Sequence, residues 1–578
     1  MSEPRQIILT IDGKRVTVPE GTTVLQACEK VQSPVPFYCY HPGLSIAGNC
    51  RICLVEIEKN PKLQISCYTR CADGMVVHTN NEKVLKARQD VLEFLLVNHP
   101  LDCPVCDQAG ECWLQDYYMN YGLYDQKFDE AKVKKQKAVP VGPNVMLDAE
   151  RCILCSRCTR FVDEITHTGE LGIFDRGDHA EIGVVPGKPV DNAYAGNVVD
   201  ICPVGALTDR DFRFKCRVWY LGSTDSVCPG CAQGCNIQIH FNREQALRPH
   251  VAEGKRVMRL KPRYNPDVNQ WWMCDEGRYG YRAIDDHRIL RPQLRQADAL
   301  GPASWNAALQ NVATMLRRLR AQQRLDQCGV IASAQLTNED LWMIHRVFRQ
   351  GLGAQVTAAV PARPGTSDDF LRKADKHPNT RGAVELGMVP PPAVVPLRGT
   401  ARSADRAVAE GDTVGGGMIP TNGGLTAAQL MDLARRDALR VLYIFGHDVV
   451  DLFGEAAVKE AASHVELIVF QGSNINRSCD WAHVILPSAS YAEKDGTFTN
   501  WQGRVQRIRP AFPPLGDARV DWRIVRALGE LVDVPVVPET PEAIFLELAW
   551  QVPTFRNIDY ERVGTQGALL QAAAEAAV

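Results

Sequence analysis

Nowhere in its 578 residues does this chain carry a run approaching the roughly 18 uncharged apolar residues of a membrane-spanning helix. Its opening, MSEPRQIILT, lacks a charged leader with an apolar core and lacks a twin-arginine signal. The expectation is a cytoplasmic chain that is soluble by itself. Charge of one sign is also lacking. The formal net charge is -3, the signs are interspersed, and no polybasic segment offers a footprint for nucleic acid or anionic lipid. The length exceeds what a single core organises, so three or four domains are expected.

Cysteine is abundant, but only in the first half. Of the 20 cysteines, 15 fall with one histidine into four groups of four. The first is Cys39, Cys50, Cys53 and Cys67, and the second is His99, Cys103, Cys106 and Cys112. The third is Cys152, Cys155, Cys158 and Cys202, and the fourth is Cys228, Cys231, Cys235 and Cys274. Cysteine-dense disulfide scaffolds belong to small secreted domains, so thiolate ligands in a reducing compartment fit better. Four such sets within 240 residues make sense for electrons passing from one to the next. The remaining Cys28, Cys71, Cys216, Cys328 and Cys479 read as small buried hydrophobes.

Arg5 to Val18 alternates around Asp12-Gly13, which predicts a two-strand hairpin with a primed turn. A helix follows Thr22-Thr23, with Val24, Leu25, Ala27 and Cys28 on its apolar face, and Leu54 to Glu58 reads as another strand. These elements resemble a β-grasp ferredoxin of the plant type over residues 1–80. Its loop, C-x10-C-x2-C-x13-C, departs from the plant-type opening but still indicates 2Fe-2S, with zinc as the alternative. Gly43, Gly48 and Asn49 should let backbone N–H groups approach the sulfurs. Asn80 to Asn98 predicts a helix capped by Asn80 or Asn81 and ending before Pro100. It delivers His99 to the pattern H-x3-C-x2-C-x5-C. There a histidine completes the ligands of a 4Fe-4S cubane or of a zinc site with three cysteines and one histidine.

The third set, C-x2-C-x2-C with Cys202-Pro203 located 44 positions after Cys158, resembles a bacterial-type 4Fe-4S ferredoxin. The fourth, C-x2-C-x3-C-x38-C, resembles the N-terminal cluster domain of molybdopterin oxidoreductases. Lys255 to Trp272 reads as a surface insertion ahead of Cys274.

After Arg291-Pro292, Gly329 to Ser333, Arg440 to Phe445 and Val465 to Phe470 read as buried strands. Helical stretches at Glu339 to Gly351 and Gly454 to Ala462 make these parallel α/β layers. Pro378 to Gly424 reads as an irregular connection. Trp481 to Pro487, Ala492 to Asn500 and Gly503 to Gln506 resemble the molybdopterin oxidoreductase domain, but no molybdenum ligand is paired with a catalytic histidine. Cys328 and Cys479 are candidates only in principle. Gly415-Gly-Gly417 and Gly351-Leu-Gly353 lack the strand–turn–helix context of a dinucleotide fingerprint.

The four sets in this order, joined to a degenerate molybdopterin-like half, resemble the large iron-sulfur subunit family of bacterial respiratory complex I. The fold class expected is multidomain α+β and α/β. Its expected domains are 1–80 (2Fe-2S β-grasp), 81–120 (4Fe-4S with one histidine and three cysteines), 140–215 (ferredoxin-like 4Fe-4S), 221–280 (molybdopterin-oxidoreductase-type 4Fe-4S) and 281–578 (α/β, without molybdenum cofactor). The resemblance implies one 2Fe-2S and three 4Fe-4S clusters, no molybdopterin, and no catalytic residue or site for NADH or quinone in this chain. It implies a peripheral arm on the cytoplasmic side of the bacterial plasma membrane. There the partners are the flavin-bearing NADH-oxidising subunit and the quinone-proximal iron-sulfur subunits, and membrane association comes only through the complex. Alternative readings are a molybdenum-dependent formate dehydrogenase chain or an NAD-linked hydrogenase subunit.

Overall fold

The computed structural model of the protein describes residues 5–125, 128–243, 254–297, 299–361, 366–389 and 425–571. The chain forms two compact units, one of residues 1–221 with 242–254 and one of 222–241 with 255–578.

The first unit begins with β1 (Gln6–Ile11) and β2 (Lys14–Pro19), paired antiparallel in full register. Asp12 and Gly13 turn between them with φ of 47° and 78°, the left-handed pair that a primed two-residue turn demands. Helix α1 (Val24–Lys30) starts at Thr23, whose side chain exchanges capping hydrogen bonds with Gln26. The helix buries Val24, Leu25, Ala27 and Cys28. With β3 (Leu54–Ile57), β4 (Gln64–Ile65) and β5 (Val76–His78) the sheet runs β2-β1-β5-β3-β4, and β1 lies parallel to β5. Ile7, Leu9, Ile11, Val18, Val55 and Val77 share one core with α1. At about 1.5–3 kcal/mol for each fully buried aliphatic side chain, that core anchors the long loop between α1 and β3.

Helix α2 (Glu82–Leu96) is capped by Asn81, whose Oδ1 accepts from Val84 N at 3.0 Å, and ends just before His99. Helix α3 (Trp113–Tyr121) begins directly after Cys112, and α4 (Arg157–Glu164) begins inside the third cysteine group.

The second unit is built on a seven-stranded sheet. Five strands run parallel in the order Val484–Pro487, Leu467–Gly472, Val441–Phe445, Cys328–Ser333, Gln355–Ala359. Gln293–Gln296 and Ala299–Pro302 add an antiparallel edge. The parallel strands feed two cores by alternation: Val441, Tyr443 and Phe445 face one, Leu442 and Ile444 the other. This is the continuous apolar signature of strands covered on both faces. The helix after Thr337 is α-helical over Asn338–Ile344 and widens to a π-turn over His345–Gly351.

Two expectations need correction. Lys255 to Trp272 is not a surface insertion. Val257–Pro262 is a strand paired antiparallel with Asn236–Asn242, and Val257, Met258, Leu260 and Trp272 are buried. The basic residues that hid this strand have partners: Arg256 pairs with Asp285 at 2.6 Å and with Glu493 at 2.7 Å, and Arg259 Nε donates to His240 Nδ1 at 3.1 Å. The stretch from Pro378, expected to be irregular, contains a helix at Thr380–Glu385. Its part from 390 to 424, with Gly415-Gly-Gly417, lies outside the described residues.

Candidate metal centres

In the first group, Cys39, Cys53 and Cys67 are buried and Cys50 is half-buried. The Cys39 thiol is in hydrogen-bonding contact with those of Cys50 and Cys67, and Cys67 with that of Cys53, so the four sulfurs form one chain of contacts. These bonds pull Cys39 down and push Cys50 and Cys67 up. The N–H groups of Asn49 and Cys50 point at the Cys39 sulfur, and Gly48 takes φ of 62° to make that possible. Gly43 does something else: its N–H donates to His41 Nδ1 at 3.1 Å.

In the second group, Cys106 N–H donates to Cys103 O at 3.1 Å, closing a tight 3₁₀ turn. Cys112 caps α3, and the N–H groups of Leu114 and Gln115 point at its sulfur. Burial pushes the Cys112 thiol up to about 12, and a metal-bound thiolate there would meet free amides at a helix start. His99 Nδ1 is buried with no hydrogen-bond partner. Burial also lowers the His99 pKa to about 4, which keeps the imidazole neutral, the form that ligates metal.

In the third group, Cys152, Cys155, Cys158 and Cys202 line one small pocket, with Leu147, Ile182 and Leu207 among its apolar walls. Leu154 and Ser156 take φ of 52° and 61°, which bends the loop around it. Leu154 N–H approaches Cys152 Sγ at 3.4 Å, and the N–H groups of Val204, Ala206 and Leu207 point at Cys202. Burial pushes the Cys152 thiol up to about 12 and Cys155 up to about 11. An iron core supplies the positive charge that would hold these sulfurs as thiolates.

The fourth group also lines one small pocket with all four of its cysteines, so Cys274 stands with its partners. Gly230 N–H lies 3.5 Å from Cys228 Sγ, and Gly277 N–H lies 3.3 Å from Cys274 Sγ. A Cβ on Gly277 would stand 2.9 Å from Cys228 Sγ, so the cradle admits only glycine there. The loop is held by the second unit's own polar groups. Asn500 Nδ2 donates to Gln233 O at 3.2 Å, Trp501 Nε1 to Gln233 Oε1 at 2.9 Å and Gln506 Nε2 to Gly234 O at 2.9 Å. The passage resembling a molybdopterin domain therefore buttresses the fourth loop.

Among the described residues no three His, Cys, Asp or Glu side chains converge tightly around a single-ion position.

The first three groups belong to the first unit and meet around one apolar core of Tyr38, Ile52, Leu92, Leu114, Val204 and Ala206. Cys50, Cys112, Cys152, Cys155 and Cys202 all pack against it. Residues adjacent to the cysteines join the groups. Asn49 Nδ2 donates to Leu154 O at 3.3 Å, Trp113 N–H to Pro203 O at 3.0 Å, and Arg151 to Asp102 at 3.2 and 2.6 Å. Sequence reasoning missed Arg151, Arg157, Arg160, Gly205 and Tyr38, whose buried hydroxyl has no partner. The five remaining cysteines are buried, Cys328 and Cys479 in the two cores of the large sheet.

Five families match parts of the chain. A 2Fe-2S iron-sulfur cluster binding domain matches residues 4–82, and an NADH-ubiquinone oxidoreductase-G iron-sulfur binding region matches 88–127. The ferredoxin-like domain of NADH-quinone oxidoreductase subunit 3 matches 142–208. A molybdopterin oxidoreductase Fe4S4 domain matches 222–286, and molybdopterin oxidoreductase matches 379–531. Among whole proteins, the chain is 33% identical to the mitochondrial NADH dehydrogenase [ubiquinone] iron-sulfur protein 1 of Solanum tuberosum, over 98% of this chain and 86% of that protein. It is 32% identical to the G subunit of the NADH-quinone oxidoreductase of Rickettsia bellii, over 96% of this chain and 90% of that one. It is 33% identical to the mitochondrial NADH-ubiquinone oxidoreductase 78 kDa subunit of Neurospora crassa, over 92% and 81% respectively.

Proposed function

The chain belongs to the family of large iron-sulfur subunits of NADH-quinone oxidoreductase, respiratory complex I, and from that membership we propose how its residues serve the relay of electrons from NADH towards quinone. The single observation that carries the proposal is the gathering of three cysteine groups around one apolar core in the first unit. Iron-sulfur clusters, when bound, supply one-electron carriers.

Cys39, Cys50, Cys53 and Cys67 would hold a 2Fe-2S cluster, and three 4Fe-4S clusters would be held by the other groups: His99, Cys103, Cys106 and Cys112; Cys152, Cys155, Cys158 and Cys202; Cys228, Cys231, Cys235 and Cys274. The chain's own work is to present these ligands, to aim backbone N–H groups at their sulfurs and to shut out water. Those are the levers that set reduction potentials. The apolar core holds the first three sites close to one another, with Cys103 of the second left exposed. The fourth site, folded with the α/β unit, is assigned a structural role off the main route.

The partners are the other peripheral-arm subunits, with the flavin-bearing NADH-oxidising subunit on one side and the quinone-proximal iron-sulfur subunits on the other. No described helix is long and apolar enough to cross a membrane, which accords with peripheral attachment at the cytoplasmic face of the bacterial plasma membrane. Relatives from complex I align with nearly the whole chain, so a formate dehydrogenase or hydrogenase role is not favoured.

Quantification of iron and acid-labile sulfide, with low-temperature electron paramagnetic resonance (EPR) during NADH titration of the assembled complex, tests this reading. Signals for one two-iron and three four-iron clusters, beyond those of the partner subunits, are expected, and each is lost on replacing a cysteine of its own ligand set. Zinc without iron, or stoichiometric molybdenum, would overturn it.

A further inference from the structure

Arg157 is 2% exposed, a position where a charge costs several kcal/mol unless something of opposite sign stands near. Its hydrogen-bond acceptors are backbone carbonyls, not carboxylates: Nη1 donates to Ile201 O at 3.0 Å and Nη2 to Tyr40 O, while Nε has no partner. Its guanidinium carbon lies 4.5 Å from the centre of the Trp113 ring. Each contact is the immediate chain neighbour of a proposed ligand: Tyr40 follows Cys39, Ile201 precedes Cys202 and Trp113 follows Cys112. The side chain also lines the pocket of the third set. A second cation stands one helical turn on. Arg160 Nη2 donates to Cys39 O at 2.5 Å and to Cys155 O at 3.4 Å. Among the described residues neither arginine pairs with a carboxylate, and both donate to carbonyls of the cysteine loops.

We propose that Arg157 is the fixed cation at the junction of the first three sites, and that its charge raises the reduction potential of the cluster held by Cys152, Cys155, Cys158 and Cys202. This rests on the cluster reading above. Adding an electron makes an anionic cluster more negative, and a buried positive charge favours that state, because the low-polarity surroundings screen it weakly. Arginine suits the position because its rigid fork reaches carbonyls of two different groups at once and its flat face stacks on Trp113. It is a positioning and tuning residue, not a ligand.

The test is redox titration of the assembled complex carrying Arg157→Gln or Arg157→Lys, followed by low-temperature EPR with iron and sulfide measured in each sample. Arg157→Gln is expected to shift the one-electron equilibrium of the third-set cluster about tenfold towards the oxidised form, about 59 mV lower. Arg157→Lys, which keeps the charge, is expected to stay near the native potential. A fully iron-loaded Gln variant with the native potential overturns the inference, and so do equal shifts in the Gln and Lys variants, which would assign the position to packing. If the Gln variant does not assemble, Arg157→Met takes its place: a potential below that of the Lys variant supports the inference, and a native potential overturns it. A native complex with no signal that is lost in a Cys155→Ala variant would overturn the cluster reading and this inference with it, whereas a missing Gln effect overturns this inference alone.

Discussion

Two glycines show how closely single residues hold the proposed ligands. A Cβ on Gly205 would stand 2.4 Å from Cys106 Sγ and 3.1 Å from Gln108 Cβ, so a residue three places after Cys202 supports the second site. Gly205→Ala is therefore expected to alter the EPR signal of the second-set cluster, with Cys106 forced to move. Gly277→Ala, its Cβ against Cys228 Sγ, is expected to alter the fourth signal and leave the first three as they are. His99→Cys tests ligation by the imidazole: the cluster spectrum and potential are expected to change, and an unchanged pair would sink the assignment. The proposed ligand groups could be read from the sequence because their spacing is a local property of the chain. Arg157 was not, because its meaning lies in a hydrogen bond to Tyr40, 117 residues away. Gly205 and the unpartnered hydroxyl of Tyr38 were hidden for the same reason.

Elements deliver these residues, and their ends carry the information. Helix α2 leads into His99, and its start depends on Asn81, which accepts from Val84 N–H and donates to Glu56 Oε2 at 2.5 Å. Asn81→Ala is expected to cost about 1 kcal/mol, read as faster amide hydrogen exchange across the first turn of α2. Elements of this kind were visible in the sequence. The β1–β2 hairpin showed in its alternation and its Asp-Gly turn, α1 in its capping threonine, and the strands of the large sheet in unbroken apolar runs. The strand Val257–Pro262 was not visible, because Arg256 and Arg259 interrupt its pattern and are buried through partners remote in sequence. The π-turn at His345–Gly351 continues the helix of Asn338–Ile344 with no Gly or Pro between them to announce it.

Across the whole molecule, the division into two units separates roles that the cysteine count alone makes look equivalent. Three ligand sets share the first unit and its apolar core, and the fourth is held by Asn500, Trp501 and Gln506 of the second. The order of the sets along the chain was legible, but their gathering was not, since it depends on contacts between loops about 100 residues apart, such as Asn49 with Leu154. The proposed route takes electrons across this chain through the three sites of the first unit. Its decisive test is rapid-freeze EPR of NADH reduction, comparing assembled complexes carrying Cys155→Ala and Cys228→Ala. Cys155→Ala is expected to arrest transfer through the chain, while Cys228→Ala removes the fourth signal and leaves the other clusters reduced at the native rate. A large loss of rate in the Cys228→Ala complex, or native transfer in the Cys155→Ala complex, would contradict that route.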